Sequence, residues 1–296
     1  MHLGWLWIAA SFVASCIAAD QPYRFQLSSL VTPPAGATGL IVKTRVDGGP
    51  ALRLLLDSGA DRLVLSRDAA RKSQLKYGEP LDLAGASSVT RVARLTTANS
   101  VEIGPLVLRD RAVVIADGSL ADGIDGVIPL SIFADFIVRL DIPHKVLELI
   151  PYPAERQDAG PAFVRATKQS DLLFLQSRVR NAHDGYMLLD TGSAYNMIDS
   201  GAAGALERGR SVPITAAGGR AGARILPGRL AIQSAGRELM FDGALAMDLG
   251  EISRRNGIEV SGVIGYPALA DSVVTVNYRE SLVSIQPKSW KVAISR

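Results

Sequence analysis

The sequence predicts an all-β protein made of two similar halves with few short helices, and three observations point there. Past Gly39 the chain is a succession of short runs rich in Val, Ile and Leu, at 40–46, 106–108, 112–115 and 273–276 among others, separated by Gly, Pro, Asp and Ser. Runs of four to eight such residues between turn formers read as strands. Stretches of helical character are few: 67–74, 131–135 and 202–208. The third observation is an internal repeat, which constrains a fold more than any single element does.

Each half carries the same two elements in the same order. The first is an apolar strand that runs into an acidic turn. Leu54-Leu55-Leu56 leads into Asp57-Ser58-Gly59-Ala60, and Met187-Leu188-Leu189 leads into Asp190-Thr191-Gly192-Ser193, an offset of 190 − 57 = 133. The second is a glycine-led apolar segment, Gly126-Val127-Ile128 and Gly262-Val263-Ile264, at an offset of 262 − 126 = 136. The echo continues at that offset. Ala134-Asp135 matches Ala270-Asp271, Ile137-Val138 matches Val273-Val274, and Leu140-Asp141 matches Val276-Asn277, with closing runs at 145–149 and 281–285. Only 136 − 133 = 3 net residues are inserted between the two elements. A stretch rich in Pro and charge at 151–160 reads as a linker. The expected division is a leader over 1–19, a first lobe over 20–153 and a second over 154–296.

A single Asp-Ser/Thr-Gly is a common turn, in which the carboxylate accepts local N–H groups and the glycine adopts positive φ. Duplication changes its meaning. Accidental turns have no reason to share a preceding apolar strand and a following glycine segment about seventy residues on.

Bulk properties narrow the classes. The chain has 296 residues, 48% of them hydrophobic and 21% charged, enough for a large core and unlike a disordered protein. The net charge is +3, from 32 Lys and Arg against 29 Asp and Glu. These charges are interspersed, without the clustered basic face that nucleic acid would need. Cys16 is the only cysteine, so no internal disulfide forms. From Leu3 to Ala19 there is no charged residue, and small residues precede Asp20-Gln21-Pro22. This reads as an export signal cleaved after Ala18-Ala19, although its n-region has only His2. Val13-Ala14-Ser15-Cys16 resembles the bacterial lipobox and offers a second reading, a lipid tether through Cys16. An uncleaved anchor is the third. Each of them sends the protein out of the cytoplasm, to the periplasm, the exterior or a membrane surface.

The paired motifs resemble those of the aspartic proteases, and the resemblance covers nearly the whole chain past the leader. In that family each lobe carries an apolar-apolar-Asp-Thr/Ser-Gly loop and a later apolar-apolar-Gly segment threading beneath it. Leu55-Leu56-Asp57-Ser58-Gly59 and Leu188-Leu189-Asp190-Thr191-Gly192 match the first element, and the segments around Gly126 and Gly262 match the second. The resemblance implies the acid protease fold: two closed β-barrel-like lobes related by a pseudo-twofold axis, with a cleft between them. It also implies an endopeptidase acting on polypeptide, with Asp57 and Asp190 as the catalytic pair. Both halves lie in one chain, so a monomer suffices.

Such a dyad needs neither metal nor organic cofactor, because two carboxyls in contact share one proton and activate a water between them. Ser58 and Thr191 are expected to brace the dyad through their hydroxyls, and Gly59 and Gly192 to let backbone approach the carboxylates. Ser193 has a hydroxyl where Ala60 has none. If that hydroxyl bonds Asp190, Asp190 is the partner more often ionised. Flaps that cover substrate are expected at Gly85, Ala86 and Ser87 in the first half, and around Gly218 and Gly219 in the second. No Tyr lies between Tyr77 and Tyr152, so the flap tyrosine of pepsin-like enzymes is missing and the short flaps look more like those of retropepsins. The alternative to an enzyme is a silent relative whose cleft binds peptide without cutting it. Whether 21–39 acts as an inhibitory pro-segment is open.

Other chemistries lack their residues. Past the leader the only histidines are His144 and His183, both in turn-like contexts, and there is no G-x-S-x-G. No H-E-x-x-H or Cys cluster suggests zinc. The acidic run at 117–126 lacks EF-hand spacing and reads as the turn into the Gly126 segment.

Overall fold

The apolar run at 54–56 has both neighbours and both faces covered, which is what an uninterrupted hydrophobic strand requires. In the computed structural model, which describes residues 21–32, 36–84, 90–117, 120–153, 162–179, 184–203, 210–216 and 219–288, strand Leu52–Asp57 lies between Gly36–Val46, antiparallel, and Gly126–Pro129, parallel. Alternate side chains go to different cores, as the period of two dictates. Leu54 and Leu56 enter the main core, while Leu55 joins a separate cluster with Leu30 and Ile41.

The second half repeats this arrangement rung for rung. Strand Asp184–Leu189 runs parallel to Val260–Ile264, with Met187 opposite Gly262 as Leu54 is opposite Gly126. Met187 and Leu189 enter the main core and Leu188 a separate cluster with Phe174, Met197 and Val263. The strand after each aspartate also repeats: Val64 and Leu65 pair with Val127 and Gly126, and Met197 and Ile198 with Val263 and Gly262.

The first half forms an eight-stranded sheet and the second a ten-stranded one. A long hairpin projects from each. In the first half Glu79–Ala84 pairs with the start of Thr90–Ile103, and in the second Arg210–Ala216 pairs with Gly219–Ile225. Thr90–Ile103 also pairs with Gly36–Val46 through Arg45–Glu102 and Val46–Val101, which closes six strands of the first sheet into a barrel. The second sheet has no such closing rung among its described residues.

A six-stranded sheet joins the halves, in the order Tyr23–Gln26, Val146–Pro151, Phe136–Asp141, Ser272–Asn277, Leu282–Pro287 and Val164–Arg165. At its centre the equivalent strands of the repeat pair with each other. Ile137 faces Asn277, Arg139 faces Thr275 and Asp141 faces Val273, so adding 136 to one strand reproduces the pairing with its partners exchanged. Only a twofold relation gives such a self-matching register. The pseudo-twofold axis therefore passes between Arg139 and Thr275.

The described strands of segment 21–39, a candidate pro-segment by sequence, are woven into this framework. Tyr23–Gln26 pairs with Val146–Pro151, and Ser28–Thr32 with Gly36–Val46. The Tyr23 ring meets Phe136 edge-on at 5.7 Å, which ties the strand to the shared sheet.

Expected helices form at Arg67–Lys72, capped by the Ser66 hydroxyl, and as a 3₁₀ turn at Leu130–Phe133. The third, expected at 202–208, is Ser200–Ala203, and positions 204–209 lie outside the described residues. Two further helices, Gly250–Asn256 and Tyr266–Leu269, lie outside the expected stretches. The runs at 106–108 and 112–115 belong to one strand, Leu106–Ala116. The Arg109-Asp110-Arg111 interruption is a single unpaired rung with Asp110 at φ 54° rather than a turn, and the register with Thr90–Ile103 runs through it unshifted.

Candidate active site

Each aspartate ends a strand whose neighbours hold it from both sides, and the twofold axis brings the two loops together. The clearest measure is the space left for a side chain at the two glycines. A Cβ on Gly59 would lie 2.6 Å from Asp190 Oδ2, and one on Gly192 would lie 2.6 Å from Asp57 Oδ2. Each glycine is thus the floor on which the opposite carboxyl rests. The two carboxyls hydrogen-bond each other directly.

Ser58 and Thr191 lock this meeting with four hydrogen bonds that cross between the halves. The Ser58 hydroxyl donates to Leu189 O at 2.8 Å and accepts from the Thr191 N–H at 3.0 Å. The Thr191 hydroxyl donates to Leu56 O at 2.9 Å and accepts from the Ser58 N–H at 3.0 Å. Both side chains are buried, so these hydroxyls satisfy backbone groups that have no water to turn to. The expected bracing role is realised as a symmetric exchange between the loops.

Backbone N–H groups orient the carboxylates. Gly59 N–H donates to Asp57 Oδ1 at 2.7 Å, and Gly192 and Ser193 N–H donate to Asp190 Oδ1 at 3.0 and 2.8 Å. Ser193 differs from the expectation. Its hydroxyl donates to Tyr195 O at 2.7 Å and accepts from Tyr195 N–H at 3.3 Å, so it closes a local turn, and only its backbone serves Asp190.

The hydroxyl on which the expected charge on Asp190 rested is therefore engaged elsewhere. Burial pushes both carboxyls up from the ordinary value of 3.8. For Asp57 this is offset by the hydrogen bond from Asp190 and by the N–H groups of Gly59, Ala60 and Gly192. For Asp190 the negative charge of Asp57 and its own role as donor add to burial, against only the N–H groups of Ser193 and Gly192. Asp190 is raised well above the ordinary value and Asp57 is raised too, the direction expected of two carboxyls that share one proton. Neither residue is fully buried, so water reaches the pair.

The flap positions are only partly visible. Gly85, Ala86, Ser87 and Gly218 lie outside the described residues, and Gly219 opens strand Gly219–Ile225. Their flanking strands form the two projecting hairpins, of comparable length in the two halves. His144 is an exposed turn residue bonded to Asp141, and His183 lies outside the described residues. In the acidic run, Asp117 pairs with Arg67 and Asp125 accepts the Arg53 N–H at 2.9 Å, so both serve the turn into Gly126. A groove lined by Arg165, Arg178, Asp184 and Gln233 shares no residue with the dyad, and its Arg178 and Asp184 pair with each other.

Comparison with known proteins agrees with this geometry. Residues 42–130 match the family model described as aspartyl protease. The fold matches the crystal structure of the aspartic proteinase from Irpex lacteus with a TM-score of 0.60 and 12% identity, covering 93% of this chain and 100% of that one. No curated protein sequence matches. The first aspartate loop thus lies within a stretch that matches the aspartyl protease family model, and nearly the whole chain has the fold of an aspartic proteinase.

Proposed function

We propose that the protein is an aspartic endopeptidase that cleaves polypeptide with a water held between Asp57 and Asp190. The observation that carries this reading is the pair of touching carboxyls, each seated on the opposite loop's glycine and locked by Ser58 and Thr191. Two carboxyls in contact resist ionising together, so between its two ionisations the pair offers one base and one acid. Asp57 takes a proton from the water as its oxygen bonds to the scissile carbonyl carbon. Asp190 gives its proton to the carbonyl oxygen, which becomes the hydroxyl of a tetrahedral diol. The proton gained by Asp57 then passes to the leaving nitrogen, the C–N bond breaks, and Asp190 recovers its proton from a diol hydroxyl. Atoms and charge balance without a covalent intermediate.

The two hairpins supply flanking walls for an extended peptide, one from each half. The division into lobes at 20–153 and 154–296 belongs to this reading. So does action outside the cytoplasm, supported by the uncharged stretch Leu3–Ala19, with Cys16 available for a lipid tether in the second reading of that stretch.

The test is cleavage of an unfolded protein across pH 3 to 8 by the wild type and by Asp57→Asn and Asp190→Asn. We expect cleavage by the wild type, blocked by a statine-type peptide, and loss of at least about a hundredfold in both variants. Peptide binding without cleavage at any pH would replace the enzyme with a silent binding module.

A further inference from the structure

The positions just beyond the two aspartate loops correspond one for one and carry unlike side chains. Asp57 and Asp190 are 133 apart, and so are Val64 and Met197, which occupy the same rung beside Val127 and Val263. No residue is gained or lost between, so Ala60 matches Ser193, Asp61 matches Ala194, and Arg62 matches Tyr195. With the dyad on the twofold axis, Arg62 and Tyr195 stand at equivalent stations on opposite sides of it, five residues past each aspartate. One station presents a cation and the other an aromatic ring.

Both side chains are available and neither is needed by the fold. Tyr195 is 42% exposed, one of only five large hydrophobics so exposed among the described residues, so its ring is not core packing. Its backbone is fixed, with Tyr195 N–H and O both bound to the Ser193 hydroxyl and the next residue, Asn196, accepting the Gly265 N–H at 3.0 Å. The ring is therefore offered from a rigid mount, which lowers the entropy cost of using it. The Arg62 side chain is 44% exposed and lies 3.9 Å from Asp61, itself 52% exposed. A pair that long and that wet contributes little, and a carboxylate arriving from solvent can take the guanidinium from Asp61 at small cost.

Building on the endopeptidase reading, we propose that Arg62 and Tyr195 are specificity-determining residues that give the cleft a direction. Arg62 accepts an acidic side chain on one side of the scissile bond. Tyr195 packs an apolar or planar side chain on the other. The pseudo-twofold axis relates the two stations, so a peptide laid across the dyad runs from the side of one to the side of the other. A site with identical halves would accept a sequence and its reverse alike, and this pair of unlike stations breaks that degeneracy.

The test uses short peptides with a central statine, which fixes the register on the dyad, bound to the wild-type protein and to variants. Four peptides carry Glu or Phe either before or after the statine, with Ala elsewhere. Arg62→Ala should weaken binding about twofold to fivefold for Glu on one side only. Tyr195→Ala should weaken it about threefold to tenfold for Phe on the opposite side only, with Tyr195→Phe near wild type. Equal losses across all four peptides, or both variants acting on the same side, would overturn the proposal and leave the dyad reading standing. Failure of the wild type to bind any statine peptide would sink the dyad reading, and this inference with it.

Discussion

Around Asp57 and around Asp190 the two halves of the molecule perform the same operations, rung by rung, while away from the aspartates they diverge. The strand, the turn, the glycine beneath the partner carboxyl and the hydroxyl bridge all have counterparts. Beyond them the first sheet closes into a barrel through Val46 and Val101, and the second stays open among its described residues. Equivalent strand ends at Ala116 and Met247, fixed by their partners Ser66 and Asp199, show a further difference. Gly126 follows after 126 − 116 = 10 positions in the first half, and Gly262 after 262 − 247 = 15 in the second. The five additional residues accommodate helix Gly250–Asn256, whose Leu249 and Ile252 cover the cluster around Leu188 and Val263. The corresponding cluster in the first half, around Leu55 and Val127, has no helix over it among the described residues. Symmetry is kept where two groups must meet across the axis. It is relaxed where each half needs only to pack itself.

The largest expected effects test the kept symmetry. Gly59→Ala and Gly192→Ala each drive a methyl into the opposite carboxyl, so both should lower kcat/KM by at least about a hundredfold. Equal losses are expected because the clearances are equal. A Gly192→Ala enzyme with near-normal rate would show that the second loop can yield where the first cannot.

Next come the crossed hydroxyls. Ser58→Ala leaves the Thr191 N–H and the Leu189 carbonyl without partners, and Thr191→Ala does the same to the Ser58 N–H and Leu56 carbonyl. Each should cost about 1–3 kcal/mol in urea unfolding, with an unchanged m-value. Thr191→Ser should recover most of that loss. Markedly unequal costs would mean that the halves share the geometry of the bridge but not its energetics.

The dyad's protonation gives a third, smaller effect with a definite sign. Asp190 binds its proton more tightly folded than unfolded, because burial raises its pKa well above 3.8. It therefore contributes stability that is present below pH 3.8 and lost as pH rises through the raised folded value. Asn at this position imitates the protonated form and escapes that loss. Asp190→Asn should melt above the wild type at pH 7, by about 2–4 °C for each kcal/mol recovered, and the gap should close below pH 3.8. A gap that widened on acidification would show that folding does not raise Asp190 above its ordinary value.

How much of this was legible in the sequence follows the same division. The aspartate loops, Gly126 and Gly262 could be read because contact across a twofold axis leaves the chain few alternatives: a glycine where a carboxyl rests, a hydroxyl where a buried carbonyl needs a donor. Gly126 cannot carry a Cβ without meeting Leu54 and Leu65, and Gly262 cannot without meeting Met187. The net insertion of three was also legible, but not its parts. The span from Leu65 to Arg94 is 94 − 65 = 29 positions, against 224 − 198 = 26 between the equivalent Ile198 and Arg224. That shortening masks most of the later gain. Helix Gly250–Asn256 left a usable signal in Glu251, which pairs with Arg254 and Arg255 one turn on, and in Gly257 at φ 64° as its C-cap. The short run of strands around it hid that pattern.

Ser193 is where sequence reasoning went astray, and it yields the smallest prediction. A hydroxyl next to an aspartate loop looks like a ligand of the carboxylate, because the sequence shows which groups are near in the chain but not where a side chain turns. The Ser193 hydroxyl turns to Tyr195 O, while the N–H that serves Asp190 is one that any residue but proline supplies. Ser193→Ala should then leave the acidic limb of the pH–rate profile where it is. Its cost should be confined to the 193–195 turn, about 0.5–1.5 kcal/mol for each of the two exposed hydrogen bonds lost. A raised acidic limb in that variant would restore the hydroxyl to the dyad and make the difference between Ala60 and Ser193 electrostatic. An unchanged one makes it a matter of how firmly each half holds the residue that follows, and Tyr195, unlike Arg62, is the residue so held.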